Sequence, residues 1–224
     1  MSARLDGRRV LVTQADECCG EGIVEVFREA GAHVIADTRD LSPPFAADAL
    51  VRDAGHVDVL IANLAVPFEA GPAIDGSDDE MQRLMEALYY PLHRLVRAVL
   101  PQMIERRSGK IVVAGSANAL RGRPGGVAMY AAARGAQLAY MRNVALEVAP
   151  HVHVNATAQT FIDNPTYFSA GYQQTEEFRA RLAECPAGRL GTQRDCGQAM
   201  LFLAGPESDF MYGQTLPIAG GWVT

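Results

Sequence analysis

Short, almost unbroken apolar runs alternate along this chain with longer stretches in which apolar residues recur every three or four positions. The runs at residues 9–13, 33–37, 57–62, 110–114, 152–156 and 214–218 predict strands covered on both faces. Residues 22–30, 130–148 and 194–204 predict helices. Ser77-Asp78-Asp79-Glu80 has the form of a capping box. From there Leu84, Leu88, Leu92, Leu95, Val99 and Met103 keep helical spacing past Pro91, which should kink or divide the segment. Strands alternating with helices predict an α/β fold, a doubly wound, Rossmann-like parallel sheet with helices on both faces. Function should then gather at the carboxyl ends of the strands. These carry the turn from Thr13 to Gly22, Asn63-Leu64-Ala65, Gly115-Ser116 and the loop from Ala158 to Tyr167.

Composition narrows the picture. With 224 residues, 49% hydrophobic and 21% charged, and without low-complexity tracts, the chain suits one compact domain over 1–224. A net charge of −6 argues against a nucleic-acid partner, since phosphate binding needs clustered positive charge. The one basic knot, Arg106, Arg107 and Lys110, reads as the close of a helix C-terminus. Residues 1–6 hold no apolar core of signal-peptide length, and no run approaches the ~18 residues of a membrane span, so a cytoplasmic protein is expected. Cys18, Cys19, Cys185 and Cys196 lack metal or secreted-domain spacing and read as reduced thiols. His151-x-His153 could face one way on a strand, but no further ligand completes a metal set.

The chemistry gathers in three places. Tyr130 and Arg134 stand one helical turn apart, with Ser116 fourteen residues upstream of the tyrosine. An unperturbed tyrosine ionises near pH ~10, so as a base it needs a neighbouring cation, and a permanent guanidinium charge supplies one. Ser116, at a strand end, can hydrogen-bond a substrate oxygen beside it. Between Thr13 and Gly22 the turn reads Thr-Gln-Ala-Asp-Glu-Cys-Cys-Gly-Glu-Gly, with three carboxylates and two thiols where a dinucleotide diphosphate needs bare backbone. Asp37, by contrast, could hold an adenine ribose, although residues 38–57 are short for the elements beside an adenine pocket.

Thr13 with Gly20 and Gly22, Asn63-x-Ala65, Ser116, Tyr130 and Val154-Asn155-Ala156 follow the order of the short-chain dehydrogenases/reductases over nearly the whole chain. Two positions depart from that pattern. Arg134 stands where that superfamily has lysine, and the glycine-rich turn is spoiled. The combination resembles the halohydrin dehalogenases, and Asp163-Asn164-Pro165-Thr166-Tyr167-Phe168 with Gly220-Gly221-Trp222-Val223 is most similar to their B-type branch.

The resemblance implies a lyase without cofactor or metal. Tyr130 would take the hydroxyl proton of a vicinal haloalcohol, with Ser116 and Arg134 completing the catalytic set. The alkoxide would displace halide and close an epoxide, and the reverse opening by halide, azide, cyanide or nitrite follows from microscopic reversibility. By the same resemblance Gln159, Thr160, Phe161 and Ile162 line a halide pocket facing Cys18, Cys19 and Gly20. Pro67, Phe68, Asn118, Tyr167 and Phe168 form the substrate walls. A homotetramer, a dimer of dimers, is implied as well, with the helix carrying Tyr130 and residues 84–103 at an interface; the sequence does not separate such contact from core. Two other readings stay open: an NAD(P)-dependent oxidoreductase, favoured by Thr13 and Asp37, and a non-catalytic ligand sensor.

Overall fold

Strands of four apolar residues cannot stand alone, and here they pair into one six-stranded parallel sheet. The computed structural model describes residues 5–224, so of the segment read for a signal peptide, residues 1–4 lie outside those described. The strands are β1 (Arg9–Val12), β2 (His33–Ala36), β3 (Val59–Ala62), β4 (Gly109–Ser116), β5 (Val152–Gln159) and β6 (Thr215–Ile218), in spatial order β2-β1-β3-β4-β5-β6. Register runs Val10 to Val59, Val59 to Lys110, Ile111 to Val154 and Ser116 to Gln159. The last pairing sets two of the expected site residues side by side where β4 and β5 end.

Alternate side chains feed two cores, as the pleat requires. Leu11, Leu60, Ile111 and Val113 face α2 (Ala46–Ala54), α4 (Tyr90–Arg106) and α5 (Ala128–Val148). Val10, Val12, Val59, Ile61 and Val112 face α1 (Gly20–Glu29) and α7 (Gln193–Ala204). A Cβ on Gly22 would lie 2.5 Å from Cβ of Gln193, so this glycine sets how closely α1 and α7 pack. The segment after β2 holds only α2, which leaves β2 as a sheet edge.

Several sequence expectations change in detail. Ser77 caps α3 (Asp78–Leu84) by accepting from the Glu80 amide, but the Glu80 carboxylate turns to Arg83 instead of closing the box. The reciprocal box forms at the start of α7, between Thr192 and Asp195. Pro91 divides the long helix by way of a π-helical turn, Met85–Tyr89, because a residue without N–H cannot continue the regular ladder. The expected strand at 152–156 continues to Gln159, which carries it into the site. Arg107 closes α4 in the left-handed conformation, and Arg106 donates to the Val57 carbonyl. His153 stacks on Tyr212 and bonds the Asp209 carbonyl. No helix among the described residues is long and apolar enough to cross a membrane.

Candidate active site

At the carboxyl ends of β4 and β5 lies a cavity of about 530 Å³. Ser116, Tyr130 and Arg134 all line it. The tyrosine and arginine sit on α5 at i and i+4, the spacing that brings side chains together along one helix face. Arg134 Nε donates to the Tyr130 hydroxyl at 3.0 Å. Its Nη2 donates to the Tyr167 hydroxyl at 3.2 Å, and its Nη1 to the Ala114 carbonyl and Gln137 Oε1, each at 3.0 Å. Gln137 in turn donates to the Leu88 carbonyl in the π-helical turn. The turn before Pro91 thereby helps hold the arginine that holds the tyrosine.

Arg134 is 2% exposed, yet its acceptors are two phenol oxygens, a carbonyl and an amide, with no carboxylate among them. Burial alone would push its pKa down; the phenol oxygens of Tyr130 and Tyr167 outweigh burial and hold it above the ordinary arginine value. A buried cation without a carboxylate favours a negative charge on whichever neighbour can ionise. Burial, and then the nearby Tyr130, push Tyr167 well above the usual tyrosine range, so Tyr167 stays a neutral phenol. Its hydroxyl also accepts from the Val66 amide. Phe68 stacks on the Tyr130 ring with centroids 4.2 Å apart, and Tyr167 meets that ring edge-on at 5.9 Å.

Ser116 Oγ accepts from the Asn118 amide, and its own proton is available to an acceptor in the cavity. The buried Oδ1 of Asn118 has no hydrogen-bond partner among the described residues. Cys18, Cys19, Gln159, Thr160 and Ile162 line the same cavity. The two sulfurs are 3.8 Å apart, and Gln159 Nε2 approaches them at 3.9 and 3.7 Å. Both thiols are pushed well above their usual pKa. At Cys18 the bond to Cys19 and burial raise it; at Cys19 the bond to Cys18 lowers it but is outweighed by Cys196 and burial. They remain uncharged, so this wall carries no thiolate to repel an anion.

Thirteen of the fifteen residues expected at the site line the cavity, and two do not: Gly20 and Phe161. Gly20 lies inside the turn, where a Cβ would meet the Ala15 carbonyl oxygen at 2.5 Å. Phe161, in the left-handed conformation at φ 55°, packs with Phe168, Phe178 and Trp222. Pro67, Phe68, Asn118, Tyr167 and Phe168 are among the residues lining the cavity. The sequence reading placed no element between Tyr167 and Arg194, yet α6 (Glu176–Leu182) lies there. Glu177, Ala180, Arg181 and Glu184 follow i, i+3, i+4, i+7 spacing and line the cavity, as does Arg123. That spacing was the signal available in the sequence.

The turn after β1 is closed on itself. The amides of Ala15, Glu17, Cys18, Gly20 and Gly22 donate to the Asp37 carbonyl, the Gln14 carbonyl, Thr166 Oγ1, the Glu17 carbonyl and Gln193 Oε1. Thr166 also donates to Glu17 Oε2 at 2.7 Å. Asp37, the acid that could hold a ribose, is bound by the amide and Nε of Arg39, at 3.1 and 2.7 Å.

Known proteins share this architecture. The chain matches the family model described as Enoyl-(Acyl carrier protein) reductase over residues 6–223. It is 30% identical over 243 residues to the 3-oxoacyl-(acyl-carrier-protein) reductase FabG of Vibrio cholerae, covering 97% of this chain and 98% of that one. Among solved structures, one titled "Dehalogenation enzyme" superposes with a TM-score of 0.91 at 30% identity, covering 98% of this chain and 99% of the other. A 3-oxoacyl-(acyl-carrier protein) reductase with bound NAD from Brucella melitensis superposes at 0.88 with 25% identity, covering 100% and 94%. With the sheet order, the serine and tyrosine at its carboxyl edge and matches spanning the whole chain, this protein belongs to the short-chain dehydrogenase/reductase superfamily.

Proposed function

We propose that the chain is a halohydrin dehalogenase, converting vicinal haloalcohols to epoxides with release of halide and a proton, without a nucleotide. The observation that carries this reading is the closed turn after β1. Five backbone amides that could face a diphosphate are satisfied within the protein, and the Asp37 carboxylate is taken by Arg39. Dinucleotide binding at a turn of this kind depends on free amides and a close backbone approach. The structure titled "Dehalogenation enzyme" supports the same reading.

In this reaction Ser116 donates a hydrogen bond to the substrate oxygen and fixes it beside Tyr130. Tyr130, as phenolate balanced by the buried Arg134 charge, takes the hydroxyl proton. The alkoxide electron pair attacks the adjacent carbon from the side opposite the carbon–halogen bond, the carbon–oxygen bond closes the ring, and halide leaves with the bonding pair. The neutral thiols of Cys18 and Cys19, with Gln159 and Thr160, receive the anion. Exposed Tyr90 and Ile104 on α4 and Leu146 on α5 fit a subunit interface in a homotetramer.

The purified protein should release chloride from 1,3-dichloro-2-propanol with no nucleotide present, and Tyr130→Phe should abolish release while leaving the thermal transition in place. The second reading, an NAD(P)-dependent reductase, is favoured by the 30% identity to the Vibrio cholerae protein. It requires NADPH oxidation on ketone substrates, and that activity without halide release would overturn the proposal.

A further inference from the structure

One group of residues lining the cavity is charged. Arg123 from the loop before α5, and Glu177, Arg181 and Glu184 from α6 and its C-terminal end, belong to it. The two carboxylates are already engaged by aromatic donors: the Tyr172 hydroxyl donates to Glu177 at 3.4 Å, and Trp222 Nε1 to Glu184 at 3.2 Å. The arginines are not engaged in this way. Among the described residues Arg181 has no hydrogen-bond partner and no ion pair within 4.0 Å, its guanidinium lying over the Phe161 and Phe168 rings at 5.5 and 5.7 Å. Arg123 donates from Nη1 to the neighbouring Pro124 carbonyl, while its buried Nε has no partner. Burial, and then Arg181, push its pKa below the ordinary arginine value against the opposing pull of Glu184 and Glu177. Gly125, at φ +106°, accommodates that guanidinium; a Cβ there would lie 3.0 Å from Nη1.

Two guanidinium groups lining one cavity, with donors unfilled and rings beneath one of them, offer charged donors to an oxyanion. We infer that Arg123 and Arg181 form an anion subsite that selects substrates carrying a carboxylate at the end remote from the reacting carbons. The inference rests on the dehalogenase reading for the reaction itself, but not for the binding. A short haloalcohol acid would place its hydroxyl between Ser116 and Tyr130, its halogen toward Cys18 and Cys19, and its carboxylate toward Arg123 and Arg181.

The test compares 4-chloro-3-hydroxybutanoate with its uncharged primary amide, read as the ratio of their kcat/KM values from halide release. The acid should be preferred, and Arg181→Gln and Arg123→Gln should each lower the acid-to-amide ratio by about tenfold, the scale of one charge-assisted hydrogen bond. Binding of halogen-free 3-hydroxybutanoate, followed by calorimetry, should weaken in both variants. Because Arg181 also packs on Phe161 and Phe168, Arg123→Gln provides a variant outside that stack. Equal kcat/KM for acid and amide, or a preference for the amide, overturns the subsite and leaves dehalogenation standing. Binding of 3-hydroxybutanoate that needs both arginines, with no halide released from any compound, supports the subsite and overturns the dehalogenase reading.

Discussion

Replacing Arg134 by lysine tests the electrostatic core of the proposed mechanism. The arginine bridges Tyr130, Tyr167, the Ala114 carbonyl and Gln137 from a site 2% exposed. A lysine keeps the charge but offers one nitrogen in place of a planar fork, so it cannot reach both phenols and both remaining acceptors. A hydrogen bond to a charged group contributes about 1.5–3 kcal/mol. Full loss of the Arg134 bond therefore corresponds to about a 10- to 100-fold drop in rate at 1.36 kcal/mol per tenfold. The sign follows from the form stabilised: weakening support for phenolate shifts the rise of activity to higher pH. Arg134→Lys should thus lower kcat/KM by up to about 10- to 100-fold near neutral pH and much less at alkaline pH. Arg134→Gln, which removes the charge as well, should show the larger shift. The assay is initial-rate halide release across pH, with circular dichroism to verify the fold. An equal fractional loss at every pH would refute the activation of Tyr130 by Arg134 and leave the arginine as a structural residue.

Two further outcomes follow from the same geometry. With the Cys18 and Cys19 thiols pushed well above their usual range, the reactive thiolate is scarce at pH ~8.5, the ordinary cysteine pKa. Iodoacetamide should therefore modify them far more slowly than free cysteine, as read by peptide mass spectrometry, and rapid labelling would contradict neutral thiols at the anion wall. Gly22→Ala should destabilise the fold by about 1–3 kcal/mol, because its Cβ would fall 2.5 Å from Gln193 Cβ and force α1 away from α7. Urea denaturation measures this, and an unchanged midpoint would show that the helices separate at no cost.

The sequence by itself determined the layered α/β plan, since apolar runs of strand length and helical periodicities are local properties that alternate in order. It also determined the Tyr130–Arg134 contact, because i and i+4 share a helix face wherever the helix lies. Ser116 was legible as the residue just after a predicted strand, but the continuation of β5 from 156 to Gln159 was not, because its pairing with Ser116 joins two segments more than forty residues apart. Tertiary structure alone decided which amides of the turn after β1 were already satisfied, for their partners Asp37, Thr166 and Gln193 come from distant segments. It also kept Phe161, with its left-handed backbone, out of the cavity lining, and brought Arg123 and Arg181 into that lining from separate segments. Local pattern specifies which face a residue occupies; only the packed chain specifies what that face meets.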